Sequence, residues 1–137
     1  MQPNADADLI DATARLAGIA DALGETEWAD ELRRRGVVPT PAAVAPTWGD
    51  VAMTGLVVVT SLARDGDWDG ARHQAAFLAD FFTRMRKQLH GVAGVAFEGL
   101  SMAARARDAE DLDEHADLIR ELFGQDPEPV DVSQPGA

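Results

Sequence analysis

Between Trp48 and Leu89 the chain reads WGDVAMTGLVVVTSLARDGDWDGARHQAAFLADFFTRMRKQL, and this stretch leaves few folds open. Val51, Gly55, Val58 and Leu62 recur at helical spacing and share one face, while Ala52, Leu56 and Val59 make another. A helix apolar on most of its circumference belongs at the centre of a protein. After a tight turn at Asp65-Gly66-Asp67, Ala71, Ala75, Leu78, Phe82, Met85 and Leu89 form a second stripe of the same period, widened by Phe77 and Phe81. Two such helices joined by a tight turn fold back on each other. The β-branched run Val57-Val58-Val59-Thr60 would also suit a strand. No partner strand is visible elsewhere, so the run is read as helix.

The flanking segments extend this pattern. Leu9, Thr13, Leu16, Ala20 and Leu23 line one face of a first helix that opens at Asp6 and Asp8 and ends at Gly24. A short second helix carries Trp28 and Leu32 and runs out in Arg33-Arg34-Arg35-Gly36, a helix stop. Residues 37–46 contain Pro39, Pro41 and Pro46 and read as an extended connector, whose valines suit it to lie against the body. Thr47 and Asp50 fit a capping box for the third helix. A fifth helix carries Val92, Val95, Ala96, Gly99, Met102, Ala103 and Ala106, and a sixth opens at Asp108 and carries Leu112, Ala116, Ile119 and Phe123. The expected organisation is an N-terminal helical pair (1–36), a Pro-rich connector (37–46), a core helical bundle (47–123) and a disordered acidic tail (124–137).

Composition narrows the chemistry. A chain of 137 residues that is 46% hydrophobic sustains one domain with a real core. With no cysteine there is no disulfide, thiol nucleophile or Cys-ligated metal. The formal charge of −12 repels nucleic acid and anionic membranes, so neither is an expected partner. No signal peptide or membrane-length apolar run is visible, which makes a cytoplasmic location the expectation.

The turns at LGETEW, RDGDWD and RDAEDL divide the helices into antiparallel helix–turn–helix pairs near 6–35, 47–89 and 92–123. In the middle one, Gly66, Asp67, Trp68 and Ala71 resemble the turn signature of the tetratricopeptide repeat, a Gly-Asp-aromatic step followed by a small Ala. Val59 and Thr83 depart from that family's pattern, where Gly or Ala and Pro are usual. The resemblance implies a concave surface that binds a peptide or helix of a partner protein. The fold expected is all-α, with about six helices in antiparallel pairs, as a bundle or a short tetratricopeptide-like array.

Few residues invite a chemical role. Asp65-Gly66-Asp67-Trp68-Asp69-Gly70 matches the first half of an EF-hand calcium loop, but Ala76 stands where the bidentate Glu belongs. Asp67 as helix cap and Asp69 on the helix dipole explain the same residues. His73, His90 and His115 lack zinc-ligand spacing. Glu114-His115 are sequence neighbours that point apart on a helix, and Glu98 lies among small apolar residues. No phosphate loop, nucleophile elbow or catalytic triad spacing is present. The reading that follows is a small interaction module without a cofactor, binding a protein partner or self-associating as a homodimer. Its apolar groove between the third and fourth helices is expected to involve Trp48, Trp68, Phe77, Phe81, Phe82, Met85, His73, His90 and Glu98. The acidic surface favours a basic partner segment. The alternative is a bundle with an interior pocket for a small apolar ligand or an enzymatic role.

Overall fold

The computed structural model describes residues 3–42, 45–85, 92–124 and 129–130. Six helices follow in order: α1 (Pro3–Ala22), α2 (Thr26–Arg33), α3 (Trp48–Arg64), α4 (Trp68–Met85), α5 (Val92–Ala106) and α6 (Ala109–Phe123). The fold is all-α, and no strand forms among the described residues. Val57–Thr60 lie inside α3, where the Thr60 hydroxyl donates to the Leu56 carbonyl at 2.8 Å. The capping box at its start is complete: Thr47 Oγ1 accepts from Asp50 N and Asp50 Oδ2 accepts from Thr47 N, each at 3.0 Å.

Within each pair the turn has the same construction. Gly24, Gly66 and Arg107 sit at φ of 75°, 86° and 56°. The next residue donates back across the helix end, Glu25 N to Ala20 O, Asp67 N to Leu62 O and Asp108 N to Ala103 O. That is the Schellman closure, which needs a left-handed residue and therefore favours Gly. The residue after it starts the next helix. Asp67 and Asp108 cap by accepting from the amides of Gly70 and Asp111. Glu25 makes no such cap.

α3 packs on α4, α4 on α5, α5 on α6, and α6 returns to α3, so these four helices close a ring. α1 packs on α2 and on α3. Small residues set the closest approaches: a Cβ on Gly55 would lie 2.6 Å from Leu78, and one on Gly99 would lie 2.2 Å from the His115 ring. Aromatic rings join the elements. Phe82 of α4 meets Trp48 of α3 (5.3 Å between centroids), Phe97 of α5 (4.3 Å) and Phe123 of α6 (5.0 Å). Phe81 carries the contact on to Trp48 and to Trp28 of α2. α1 and α2 are thus no detached unit: Trp28, Ala29 and Leu32 are fully buried in the common core.

Two extended segments close the surface. The connector lies on α1, where Thr40 N donates to Ala14 O at 3.0 Å. A Cβ on Gly18 would stand 1.7 Å from the Thr40 carbonyl oxygen, so only glycine permits the contact. Val38, in contrast, is 85% exposed. The segment after α6 was expected to be disordered throughout. Instead Pro129 pairs antiparallel with Thr47, Val130 N donates to Pro46 O at 2.9 Å, and the Val130 side chain is buried. An aliphatic side chain within the acidic tail found an apolar hollow. Burying a valine fully stabilises by about 1.5–3 kcal/mol, and one hydrogen bond by about 0.5–1.5 kcal/mol. Fixing each backbone residue costs about 1–2 kcal/mol. The attachment is therefore close to balance.

Two substitutions test this construction. Phe82→Ala removes the ring shared by α3, α4, α5 and α6 and should lower stability by about 3–5 kcal/mol in urea unfolding. Arg107→Gly relieves a left-handed arginine whose conformation costs about 1–2 kcal/mol. It should raise the urea midpoint with the m-value unchanged, whereas the same change in a helix interior would lower it.

Candidate functional site

α2 is too short to hold itself together; it packs on α1, and long side chains link it to α4. Trp28 Nε1 donates to Gln74 Oε1 at 2.8 Å in the buried seam. At one end of α2, Arg84 of α4 pairs with Glu25 and also with Asp80 at 2.8 Å. The hydrogen bond it donates to the Glu25 carboxylate is the chief reason the Arg84 guanidinium holds its proton more tightly than usual. Glu25 thus serves α4 instead of capping its own helix. At the other end, Arg35 pairs with Asp67 at 3.2 Å. α2 and α4 therefore run antiparallel, tied at both ends and in the middle.

Between these ties lies an open cleft of about 340 Å³, lined by Glu27, His73, Ala76, Phe77 and Asp80. Phe77 stacks on Trp28, with centroids 6.0 Å apart and planes 8° from parallel, and is half-buried. The stack holds the ring rigidly in the cleft wall. Glu27, His73, Ala76 and Asp80 are exposed. The site is an apolar surface one ring wide, bordered by two carboxylates and an imidazole. It suits a cationic group carried on an apolar stem, because a ring face and carboxylates both attract cations.

The residues expected to line a groove between α3 and α4 divide sharply. Trp48, Phe81 and Phe82 are buried, at 5%, 0% and 4% exposure, and fill that seam with their own rings. They do not line an open groove, because α5, α6 and α2 cover the faces that α3 and α4 leave free. Trp68 is half-buried at the start of α4, and Glu98 is exposed on α5. The Met85 side chain and His90 lie outside the described residues. Of the set, His73 and Phe77 meet in this cleft. Glu27 and Asp80 were not singled out in the sequence. Each lies near an aromatic residue, Glu27 beside Trp28 and Asp80 three residues after Phe77, but the pairing of α2 with α4 is a long-range event.

His115 is a packing residue: its ring lies over Gly99, and Nδ1 stands 2.8 Å from the Asp111 carbonyl. The acidic turn is engaged in structure. Asp67 Oδ1 accepts from Gly70 N and Oδ2 faces Arg35, while Asp65 and Asp69 are exposed. Among the described residues, no group of three or more His, Asp or Glu side chains is placed to hold a metal ion. No helix there is long and apolar enough to cross a membrane. A second cleft, of about 280 Å³, lies where α1, the connector and the start of α3 meet, and includes Arg15, Thr40, Pro46, Asp50 and Thr54.

The Gly70 amide holds the Asp67 carboxyl below the usual carboxylate range; burial opposes it less strongly, and Arg35 adds to the lowering. The side chain is 45% exposed, so solvent screens the ion pair and the cap dominates. Asp67→Ala should cost about 1 kcal/mol at pH 7. A carboxyl that titrates lower in the folded state contributes fully above its unfolded pKa, and the contribution is lost as pH falls through the folded value. The gap between wild type and variant in urea unfolding should therefore be full at neutral pH and narrow in strong acid. Compared with family models, curated proteins and solved structures, the chain shows no match to any of them, and the cleft is interpreted from its geometry alone.

Proposed function

We propose that the protein is a small helical interaction module that takes a basic, partly apolar segment of a partner protein in the α2–α4 cleft. The observation that carries this reading is the half-buried Phe77, stacked on Trp28 and bordered by Glu27, His73 and Asp80. A rigid aromatic side chain at the centre of a small patch is the usual anchor of a protein interface. The formal charge of −12 would speed the approach of a cationic segment. Glu27 makes no ion pair with another described residue, so a lysine or arginine gains a partner there without displacing one.

The test is titration with a synthetic amphipathic peptide that alternates leucine pairs with lysine or arginine, followed by two-dimensional NMR. Binding should perturb Glu27, His73, Ala76 and Phe77 first and weaken as salt rises. Phe77→Ala should reduce affinity about thirtyfold, the loss of a 2 kcal/mol anchor. Glu27→Lys should reduce it by a smaller factor and remove much of the salt dependence. Perturbations centred elsewhere, or affinity indifferent to both substitutions, would refute the assignment.

A further inference from the structure

Six large apolar side chains stand exposed among the described residues, and three of them fall on the α5–α6 hairpin: Val95 (62% exposed), Met102 (67%) and Leu122 (42%). Single apolar residues on a surface mean little, whereas a contiguous set marks a contact site. On α5, Val95, Gly99, Met102 and Ala106 recur at steps of four, three and four, which puts them on one side of the helix. On α6, His115, Leu118 and Leu122 do the same at steps of three and four. The His115 ring lies over Gly99, so the two stripes meet along one seam. Gly99 and the half-buried His115 form the floor of a shallow groove. Val95 and Met102 make one wall, and Leu118 and Leu122 the other.

The rim of this groove decides what fits it. Glu98 lies one turn from both Val95 and Met102, and Glu114 and Glu121 each lie one turn from Leu118. All three carboxylates are exposed, and none makes an ion pair with another described residue. Aliphatic walls under unpaired carboxylates complement an amphipathic helix with cationic flanks. From Val95 to Ala106 the groove runs about 16 Å along α5, room for about three turns of a third helix. Met102 adapts its shape to what lies on it. Two other occupants have the wrong charge. Residues 125–137 contain Asp126, Glu128 and Asp131 and no lysine or arginine. A second copy would bring the same carboxylates against the rim, on a chain of formal charge −12.

We propose that the α5–α6 groove binds an amphipathic helix of a partner protein, with aliphatic residues facing the seam and lysine or arginine along both flanks. Glu114 and Glu121 pair with cations of the same seven-residue spacing. Arg105, one turn from Met102 at the end near the hairpin turn, takes a carboxylate and sets the direction of the bound helix. The site shares no residue with the α2–α4 cleft and stands independently of it. There one ring receives a cationic side chain on an apolar stem; here the side of a helix lies on aliphatic walls.

The probe is a synthetic helix of about 18 residues, with leucine along one side and lysine on its flanks, titrated into the full chain and followed by methyl NMR. The methyl signals of Val95, Met102, Leu118 and Leu122 should shift, and a peptide of the same composition broken by a central proline should leave them in place. Met102→Asp should weaken binding about tenfold, as should Glu114→Lys combined with Glu121→Lys. These positions are exposed, so an unchanged urea midpoint should accompany both losses. The same helix with glutamate in place of lysine should bind the double variant more tightly than it binds wild type. Phe77→Ala should leave the four methyl shifts and their midpoint unchanged, which separates this groove from the α2–α4 cleft. Four unmoved methyl signals, equal binding of the lysine and glutamate helices by wild type, or loss of the shifts in Phe77→Ala would overturn the proposal. A wild-type dimer in light scattering that Met102→Asp dissociates would overturn it too, since a second copy would then hold the groove.

Discussion

The contact of Phe82 with Trp48, Phe97 and Phe123 holds the molecule together, because it is where four helices share one side chain. A ring that reaches α3, α5 and α6 at once makes the order of packing a single choice. If α6 turned away from α3, Phe123 would lose its place and Phe82 would be uncovered. Phe81 passes the constraint outwards through Trp28, and the stack of Trp28 on Phe77 ends it at the surface. The chain of rings thus runs from the centre of the bundle to the cleft. The rigidity of Phe77 as an anchor derives from the same packing that stabilises the fold.

Charge works on a different scale. Most ion pairs here join neighbours on one helix or lie exposed, and such pairs contribute little. Arg84 with Glu25, and Arg35 with Asp67, differ in what they join, since each spans two helices. They fix the register of α2 on α4 after Trp28 has supplied the burial. The register in turn sets Glu27 opposite His73 and Asp80. Among the ion-paired arginines of the described residues, Arg33, Arg35 and Arg84 make joints between elements, while the others pair along their own helices.

Much of the architecture can be read from local pattern. The capping box at Thr47, the turn at Gly66 and the helix start at Asp108 involve residues within five positions of one another, so their hydrogen bonds are implied by residue type and spacing. The candidate site was far less legible. Trp48, Phe81 and Phe82 have the composition of an exposed aromatic groove, and nothing in their spacing distinguishes a ring that lines a groove from one that fills a core. That distinction depends on which helices cover them. The hydrogen bond of Trp28 to Gln74 spans 46 residues, and no periodicity announces it. Val130 was hidden for the same reason: one valine in a tail rich in proline and acid carries no local sign of a hollow near Pro46.

Residue order alone therefore decided where helices begin and end, which of their faces are apolar, and how each pair turns, because caps, turns and helical periodicity act over a few residues. The closing of α3–α6 into a ring, the docking of α2 on α4, and the exposure of Phe77 but not of Phe81 came from packing between distant segments. Burial is a property of the assembled surface, and a side chain acquires it only when its neighbours in space, which the order of residues does not name, have taken their places.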